Sequence, residues 1–145
     1  MAARPELKDT SPEALPSYQH ILLAADSSDH ANHGTSEAVA LARLWGAKVT
    51  GAHVYAAKMH DVRFRQMEGG LPEQFREEQE LERQRDVHDD LITRGLSIIT
   101  DSYLDQAERA CRSDGVDFAR CSLEGKNYRE LVVEANSGNH DLMVL

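Results

Sequence analysis

The residues best suited to chemistry lie in one short stretch, in which Asp26 closes an apolar run and Ser27, Ser28 and Asp29 follow it. A carboxylate at such a place can accept hydrogen bonds from the hydroxyl groups of a sugar. The N–H groups that open a following helix can hold an anion. Asp26 is equally well suited to cap that helix, and the two roles are compatible. The stretch therefore predicts a helix cap, a turn that binds sugar and anion, or both.

Histidines near this stretch raise the question of a metal site or a catalytic base. Zinc needs three or four converging ligands, and the spacing of these histidines matches no usual ligand pattern. We therefore expect solvated or capping histidines and no metal site. No nucleophile elbow, HExxH or GxGxxG motif occurs, and no histidine is placed by sequence to activate the serines, so we predict no catalytic residues. The histidines concerned are His30, His33, His53 and His60.

Hydrophobic periodicity predicts the elements that position these residues. Residues 21–25 form a short apolar run without polar alternation, which is typical of a strand buried on both faces. Residues 31–45 repeat apolar side chains every three or four positions, which predicts a helix that ends at Gly46. Residues 48–55 form a second strand, so the first third of the chain is a βαβ unit with parallel strands.

The rest of the chain continues the alternation of strands and helices. Gly95 separates two predicted helices, a charged and mostly solvated one at 73–94 and a core-facing one at 96–112, and residues 60–70 are predicted to be irregular. The pattern predicts an α/β domain with an open parallel sheet and helices on both faces. The remaining predicted elements are a half-exposed strand at 116–121, a turn at 123–126, a short helix at 127–137 and a buried strand at 141–145.

Charge and composition narrow the class of partner. The 145 residues include 16 Lys and Arg against 25 Asp and Glu, a formal net charge of −9, which repels nucleic acid and anionic membranes. No apolar run approaches the roughly 20 residues of a membrane helix. Residues 1–17 lack the apolar centre of a secretory signal, so we predict a flexible leader and a cytoplasmic protein. Cys111 and Cys121 are then expected to be reduced thiols.

Four segments carry a resemblance to a known family: ILLAADSS at 21–28, AKVTGAHV at 47–54, LEGKN at 123–127 and NHDLMVL at 139–145. In this order and spacing they resemble the universal stress protein family. The resemblance implies an adenine-nucleotide α-hydrolase-like, doubly wound fold with a five-stranded parallel sheet, and usually a homodimer. In one branch of the family, ATP or AMP binds at the strand ends and serves a regulatory role in the stress response.

The resemblance also implies which residues would bind the nucleotide in this chain. Backbone and an aspartate at the end of the first strand would hold adenine and ribose, in a turn where Ser27 replaces the usual glycine. Val54 would line the adenine pocket, although core packing is the more common role of a buried valine. The matching positions are Ala24, Ala25, Asp26, Ser27, Val54 and Leu145.

The family's phosphate-binding loop is expected directly after Leu145, where the sequence stops. Because the last predicted strand reads as buried and no helix follows to cover it, we expect the parent protein to continue, with a further helix and strand. The 145-residue chain alone is then expected to bind ATP weakly or not at all, and to require no cofactor. Slow ATP hydrolysis is the one activity that the resemblance leaves open.

Two functions from different classes fit the sequence. The first is a nucleotide-binding regulatory domain of the stress response. The second is a nucleotide-free dimerisation or interaction module, in which the inserted charged segment at about 60–95 contacts a partner protein or a fused domain through Phe75, Leu81 or Val87. A distant third is another adenine-nucleotide α/β family, such as an electron-transfer flavoprotein subunit. The sequence after Leu145 would discriminate between the first two.

Overall fold

Strands and helices alternate along residues 17–145, the part of the chain that this computed structural model describes. The flexible leader predicted for residues 1–17 lies outside the described residues, apart from Ser17. Within them, no helix combines the length and the apolar character needed to cross a membrane. The elements are β1 (His20–Ala24), α1 (Asp29–Trp45), β2 (Lys48–Tyr55), α2 (Ala57–Met67), α3 (Glu78–Ser113), β3 (Phe118–Glu124), α4 (Asn127–Ala135) and β4 (Leu142–Val144), with short 3-10 turns at Glu68–Gly70 and Glu73–Phe75.

The strands form one parallel sheet in the order β3-β2-β1-β4. The chain therefore moves outward from β1 through β2 to β3 and then returns past β1 to β4. Because such crossovers are right-handed, α1 and α3, which connect β1 to β2 and β2 to β3, lie on one face of the sheet. The helix α4, which connects β3 to β4, lies on the other face. In agreement, α1 contacts α3, and α4 contacts β2. The predicted α/β fold, an open parallel sheet wound on both faces, is confirmed.

The core forms around β1, whose central side chains are completely buried. Ile21 and Leu23 pack in one cluster with α1 and α3, and Leu22 points to the opposite face because strand side chains alternate. On α3, Leu104 and Cys111 face the same cluster at helical spacing. The absence of polar alternation in β1 thus reflects burial on both faces of the sheet, as the sequence predicted.

The first helix begins and ends as its sequence indicates. The Ser28 side chain accepts a hydrogen bond from the Ala31 N–H at 3.1 Å and so caps the beginning of α1. Gly46 ends the helix with φ at +65°, in the left-handed region, and its N–H donates to the carbonyl of Ala42. These two caps place the beginning of α1 directly beside the end of β1.

Four local predictions differ from the structure. The strand predicted at 116–121 begins at Phe118 and continues to Glu124, because Leu123 and Glu124, predicted to lie in a turn at 123–126, pair with β2. Residues 60–70, predicted to be irregular, lie mostly in α2. Gly95 does not interrupt α3, which runs through it as one helix of 36 residues, because a glycine in a helix costs only about 1 kcal/mol. The last strand is half-buried and not fully buried, and Leu145 is exposed, because β4 pairs only with β1 among the described residues.

The inserted charged segment forms a helical hairpin, in which α2 packs against the N-terminal half of α3; we call residues 57–95 the charged hairpin. Nε and Nη2 of Arg85 donate to the two carboxylate oxygens of Glu68 at 2.7 and 2.8 Å, which lowers the pKa of Glu68. The ring of Phe64 stacks on that of His88 with centroids 3.9 Å apart. These contacts hold together a pair of helices with few buried side chains.

Asp141 connects the beginning of β4 to the beginning of β1 and makes the fold sensitive to acid. Its carboxylate oxygens accept hydrogen bonds from the N–H groups of Gln19 and His20, each at 2.9 Å, and these bonds lower its pKa. Because the pKa of Asp141 is lower in the folded state than in the unfolded state, its ionised carboxylate stabilises the fold at pH values above the unfolded pKa, which is about 3.9. That stabilisation is lost as the pH falls through the folded pKa.

We therefore expect Asp141→Asn to be less stable than the wild type at pH 7, and the difference to disappear in strong acid. Urea unfolding at pH 7 and below pH 3 measures it. Asp117→Asn is the control, because the Asp117 side chain makes no hydrogen bond within residues 17–145. A difference that stays constant with pH would contradict the proposed role of the Asp141 carboxylate.

Candidate functional site

A cleft of about 220 Å³ opens at the carboxyl ends of β1, β2 and β4. It lies where the order of the chain reverses between β1 and β4, which is where open α/β sheets bind ligands. Small side chains form its floor, so a ligand can approach the backbone closely. The residues that line it are Ala24, Ala25, Asp26, Ser28, His30, Ala31, Ala52, His53, Val54, Asn127, Leu131 and Leu145.

Asp26 supplies the negative charge at the rim of this cleft. Its Oδ1 accepts a hydrogen bond from the Ser28 N–H at 2.9 Å. Hydrogen bonds from the Ser28 hydroxyl and N–H lower the pKa of Asp26, and the nearby His53 and His30 lower it further. The side chain is thus ionised at neutral pH. A carboxylate has about four acceptor positions, so Asp26 can accept a further hydrogen bond from a hydroxyl group of a ligand.

Ser27 adopts a backbone conformation that usually requires glycine. Its φ is +58°, and no other non-glycine residue among those described has a positive φ. This conformation costs about 1 kcal/mol. The Ser27 hydroxyl hydrogen-bonds to Oε1 of Gln106 on α3 at 2.9 Å. Ser27 therefore faces the groove between α1 and α3. Of the six positions that the family resemblance implied, it is the one that does not line the cleft.

His53 joins the ends of β1 and β2 beneath the cleft. Its Nδ1 lies 2.8 Å from the carbonyl oxygen of Ala25, and because a carbonyl only accepts, Nδ1 carries the hydrogen. The ring meets that of Tyr103 edge to face, with centroids 4.8 Å apart. The Ala25 N–H donates in turn to the Ala52 carbonyl at 2.9 Å. His53 therefore positions the floor of the cleft.

Sequence reasoning did not assign several lining residues to a nucleotide site. Asn127 and Leu131 come from α4, more than 70 positions after β2, so no local pattern connects them to the cleft. His30 was predicted to be a solvated or capping histidine and not a ligand-binding one. One feature of the sequence could have assigned His53 to the site, namely its position directly before Val54 in the second strand. The tertiary fold is what brings these side chains together.

The four histidines considered for a metal site separate in space. His30 and His53 line the cleft, whereas His33 points outward and lies 3.8 Å from Glu37, and His60 is exposed on α2. Within residues 17–145, no group of three or more histidine, cysteine, aspartate or glutamate side chains is placed to hold a metal ion. The expected lack of a metal site stays a prediction.

Both cysteines are free thiols, on different elements of the fold. Cys111 is completely buried in α3, and burial raises its pKa to about 11. Cys121 is half-buried on β3, and burial raises its pKa as well. A raised pKa keeps a thiol protonated at neutral pH, and the protonated form is not the nucleophile. Neither thiol has the environment of a reactive cysteine.

The strand order, the reversal and the cleft define a doubly wound α/β domain with a cleft at its strand ends. A family model described as the universal stress protein family matches residues 17–145. The chain therefore belongs to the universal stress protein family, and the resemblance found in the four segments is confirmed. Among curated proteins, none matches the chain in sequence.

Solved structures of universal stress proteins share this fold. The universal stress protein UspA from Lactobacillus plantarum is 18% identical, with a TM-score of 0.62, and the match covers 90% of this chain and 77% of that one. A protein of the universal stress protein family from Burkholderia pseudomallei is 20% identical, with a TM-score of 0.52 and coverage of 87% and 79%. A universal stress protein in complex with cAMP is 18% identical, with a TM-score of 0.53 and coverage of 88% and 71%. At these identities the likeness shows the fold.

Proposed function

We propose that this chain is a regulatory domain whose cleft at the strand ends holds the adenine and ribose of an adenine nucleotide, AMP or ATP, weakly when the chain is by itself, and that it binds without catalysing a reaction. The observation that carries the proposal is the ionised Asp26 carboxylate, which lies at the rim of a cleft with a small-residue floor and can accept further hydrogen bonds. A carboxylate at the end of the first strand of such a sheet is suited to the hydroxyl groups of a ribose.

The remaining lining fits the other parts of a nucleotide. Val54 and Leu131 offer apolar surface to a flat base, and the side-chain amide of Asn127 has no hydrogen-bond partner within residues 17–145. An asparagine amide pairs well with the N6 and N7 edge of adenine. Ser28 and His30, at the first turn of α1, lie where a phosphate would be favoured. The cleft thus has separate groups for base, sugar and anion.

The comparisons support an adenine nucleotide as the ligand. One structure with this fold holds cAMP, which contains the same base and sugar. Family membership also favours a homodimer and a role in the stress response. A cytoplasmic location is part of the same proposal.

The test is a titration of the ¹⁵N-labelled chain with AMP, followed by NMR. We expect shifts at the amides of Asp26, Ser28 and Val54, and we expect Asp26→Asn to weaken binding about tenfold, because a hydrogen bond to a charged group is lost. Asp117→Asn, which removes the same charge at the opposite end of the sheet, is the control and should leave the affinity unchanged. Equal affinities for wild type and Asp26→Asn would refute the proposed site.

A second candidate function uses the charged hairpin, together with the turn of α3 that follows it, as an interaction surface. Val87, Leu91 and Ile98 are 55, 61 and 70% exposed on α3, and their spacing places them on one face of the helix. Under this alternative the chain dimerises through that face, and Leu91→Asp dissociates the dimer while Thr93→Asp, on another face, does not. Sedimentation velocity measures both variants. A wild-type chain that sediments as a monomer would rule out this mode of dimerisation.

A further inference from the structure

A second and larger cavity, of about 570 Å³, lies directly beside the candidate site. It is formed by the segments that follow β2 and β3, at the same edge of the sheet as the cleft. Asn127, the first residue of α4, lines both spaces, so the cleft and the cavity adjoin at this side chain. The inference rests on the proposed function, because it extends the ligand that the cleft would hold.

The cleft by itself is small for a ligand site, and the adjoining cavity offers space for a larger ligand. Small-molecule sites usually measure about 300–1,000 Å³. The cleft alone, at about 220 Å³, falls below this range, and the cleft and the cavity together fall within it. A ligand confined to the cleft would leave the larger space empty.

The lining of the cavity indicates an apolar group. Met59 and Tyr128 form its walls and are 54% and 71% exposed, which leaves a thioether and an aromatic ring open to solvent. Tyr128 makes no ring contact with another aromatic side chain within residues 17–145. Lys58 and Lys126 lie at the rim, where lysines contribute their aliphatic stems and keep their ammonium groups in water. Glu124 is the acidic residue on the same rim.

Asn127 determines which part of the nucleotide points toward the cavity. If its amide pairs with the N6 and N7 edge of adenine, one N6 hydrogen is bound to Asn127, and a substituent in place of the other lies beside Asn127, where the cleft meets the cavity. We propose that this site binds an adenine nucleotide that carries an apolar alkyl or aryl substituent on N6, with the substituent held between Met59 and Tyr128. Contact with a sulfur atom and an aromatic ring suits an aryl group best.

The experiment compares AMP with N6-benzyl-AMP in NMR titrations of the full chain. Burying the benzyl group should tighten binding about tenfold and shift the amides of Lys126 and Tyr128. We expect Met59→Ala and Tyr128→Ala to remove this gain and to leave the affinity for AMP unchanged. Met67→Ala is the matched control, since Met67 is 72% exposed on the same helix and outside the cavity. Both cavity side chains are exposed, so their replacement does not endanger folding.

The outcomes separate the two proposals. If N6-benzyl-AMP binds no more tightly than AMP, the proposal of an N6-substituted ligand is wrong, whereas the proposed nucleotide site is unaffected. The same holds if the gain survives in both Met59→Ala and Tyr128→Ala, because the benzyl group would then lie elsewhere. If neither ligand binds, the proposed function and this extension of it both fail.

Discussion

Leu104→Ala is expected to lower the free energy of unfolding by about 2–5 kcal/mol, the largest effect that we predict for a single side chain in this protein. Leu104 is 1% exposed and lies on the face of α3 that packs against the sheet. Removing its side chain leaves a cavity between the sheet and α3. The cavity cannot easily close, because hydrogen bonds hold the strands and the helix in place. Urea unfolding followed by circular dichroism measures the loss.

Ile98→Ala is the matched control for Leu104. It lies on the same helix, six positions earlier, but is 70% exposed. Its replacement should change the free energy of unfolding of the monomer by no more than about 0.5 kcal/mol. If the two variants lost similar stability, α3 would have to pack against the sheet through a different face from the one described. The description of the cleft at the end of β2 would then be wrong as well.

Gly51→Ala is expected to destabilise the fold by about 1–3 kcal/mol, although alanine is only one methyl group larger. A methyl group on Gly51 would overlap Cζ of Phe118 and lie 2.8 Å from its Cε2 and 3.4 Å from Cδ2 of Leu104. The backbone cannot move away, because β2 is paired on both edges, with Leu23 and Arg120 opposite Gly51. The ring of Phe118 must therefore turn out of its packed position.

Gly95→Ala, in the interior of α3, provides a control with the opposite sign. No atom lies within 4 Å of a methyl group at Gly95, and alanine favours the helix over glycine by about 0.5–1 kcal/mol. We expect this variant to be more stable than the wild type, as measured by the same unfolding curves. A Gly51→Ala variant that is also neutral or stabilised would show that Phe118 does not pack over β2 as described.

Both large effects concern the strand that positions the candidate site. Two residues after Gly51, His53 donates its hydrogen bond to Ala25, and Val54 lines the cleft. A displaced β2 would therefore alter the floor of the cleft as well as the stability. AMP binding to Gly51→Ala, measured where the variant is still folded, should weaken more than binding to Gly95→Ala.

Local sequence patterns determined most of the elements that build the fold. The second strand, residues 48–55, has the predicted bounds, because its flanks are marked by a helix-ending glycine and a change in polarity. The unbroken apolar run of β1 indicated burial on both faces, and Ser28 and Gly46 marked the ends of α1. Such signals depend on neighbours within one or two turns, so a single sequence suffices to read them.

The sequence was less informative where distant packing competes with a local preference. Gly95 is a helix breaker by propensity, yet α3 continues through it because the helix packs against α2 on one side and the sheet on the other. The burial of the last strand was overestimated, since burial depends on neighbouring strands and not on the apolar character of the run. At Gly95 a local preference of about 1 kcal/mol is outweighed by tertiary contacts, whereas β4 lacks a second neighbouring strand among the described residues.

For the candidate site, the sequence by itself determined Asp26 and its neighbourhood, because a strand end, a carboxylate and a helix cap are adjacent in the chain. Only the tertiary structure decided the rest. It brings Asn127 and Leu131 over the cleft, turns Ser27 toward Gln106 and places the apolar cavity beside Asn127. These arrangements join residues separated by dozens of positions, and a parallel sheet with crossover helices creates such proximity only once all its strands are paired.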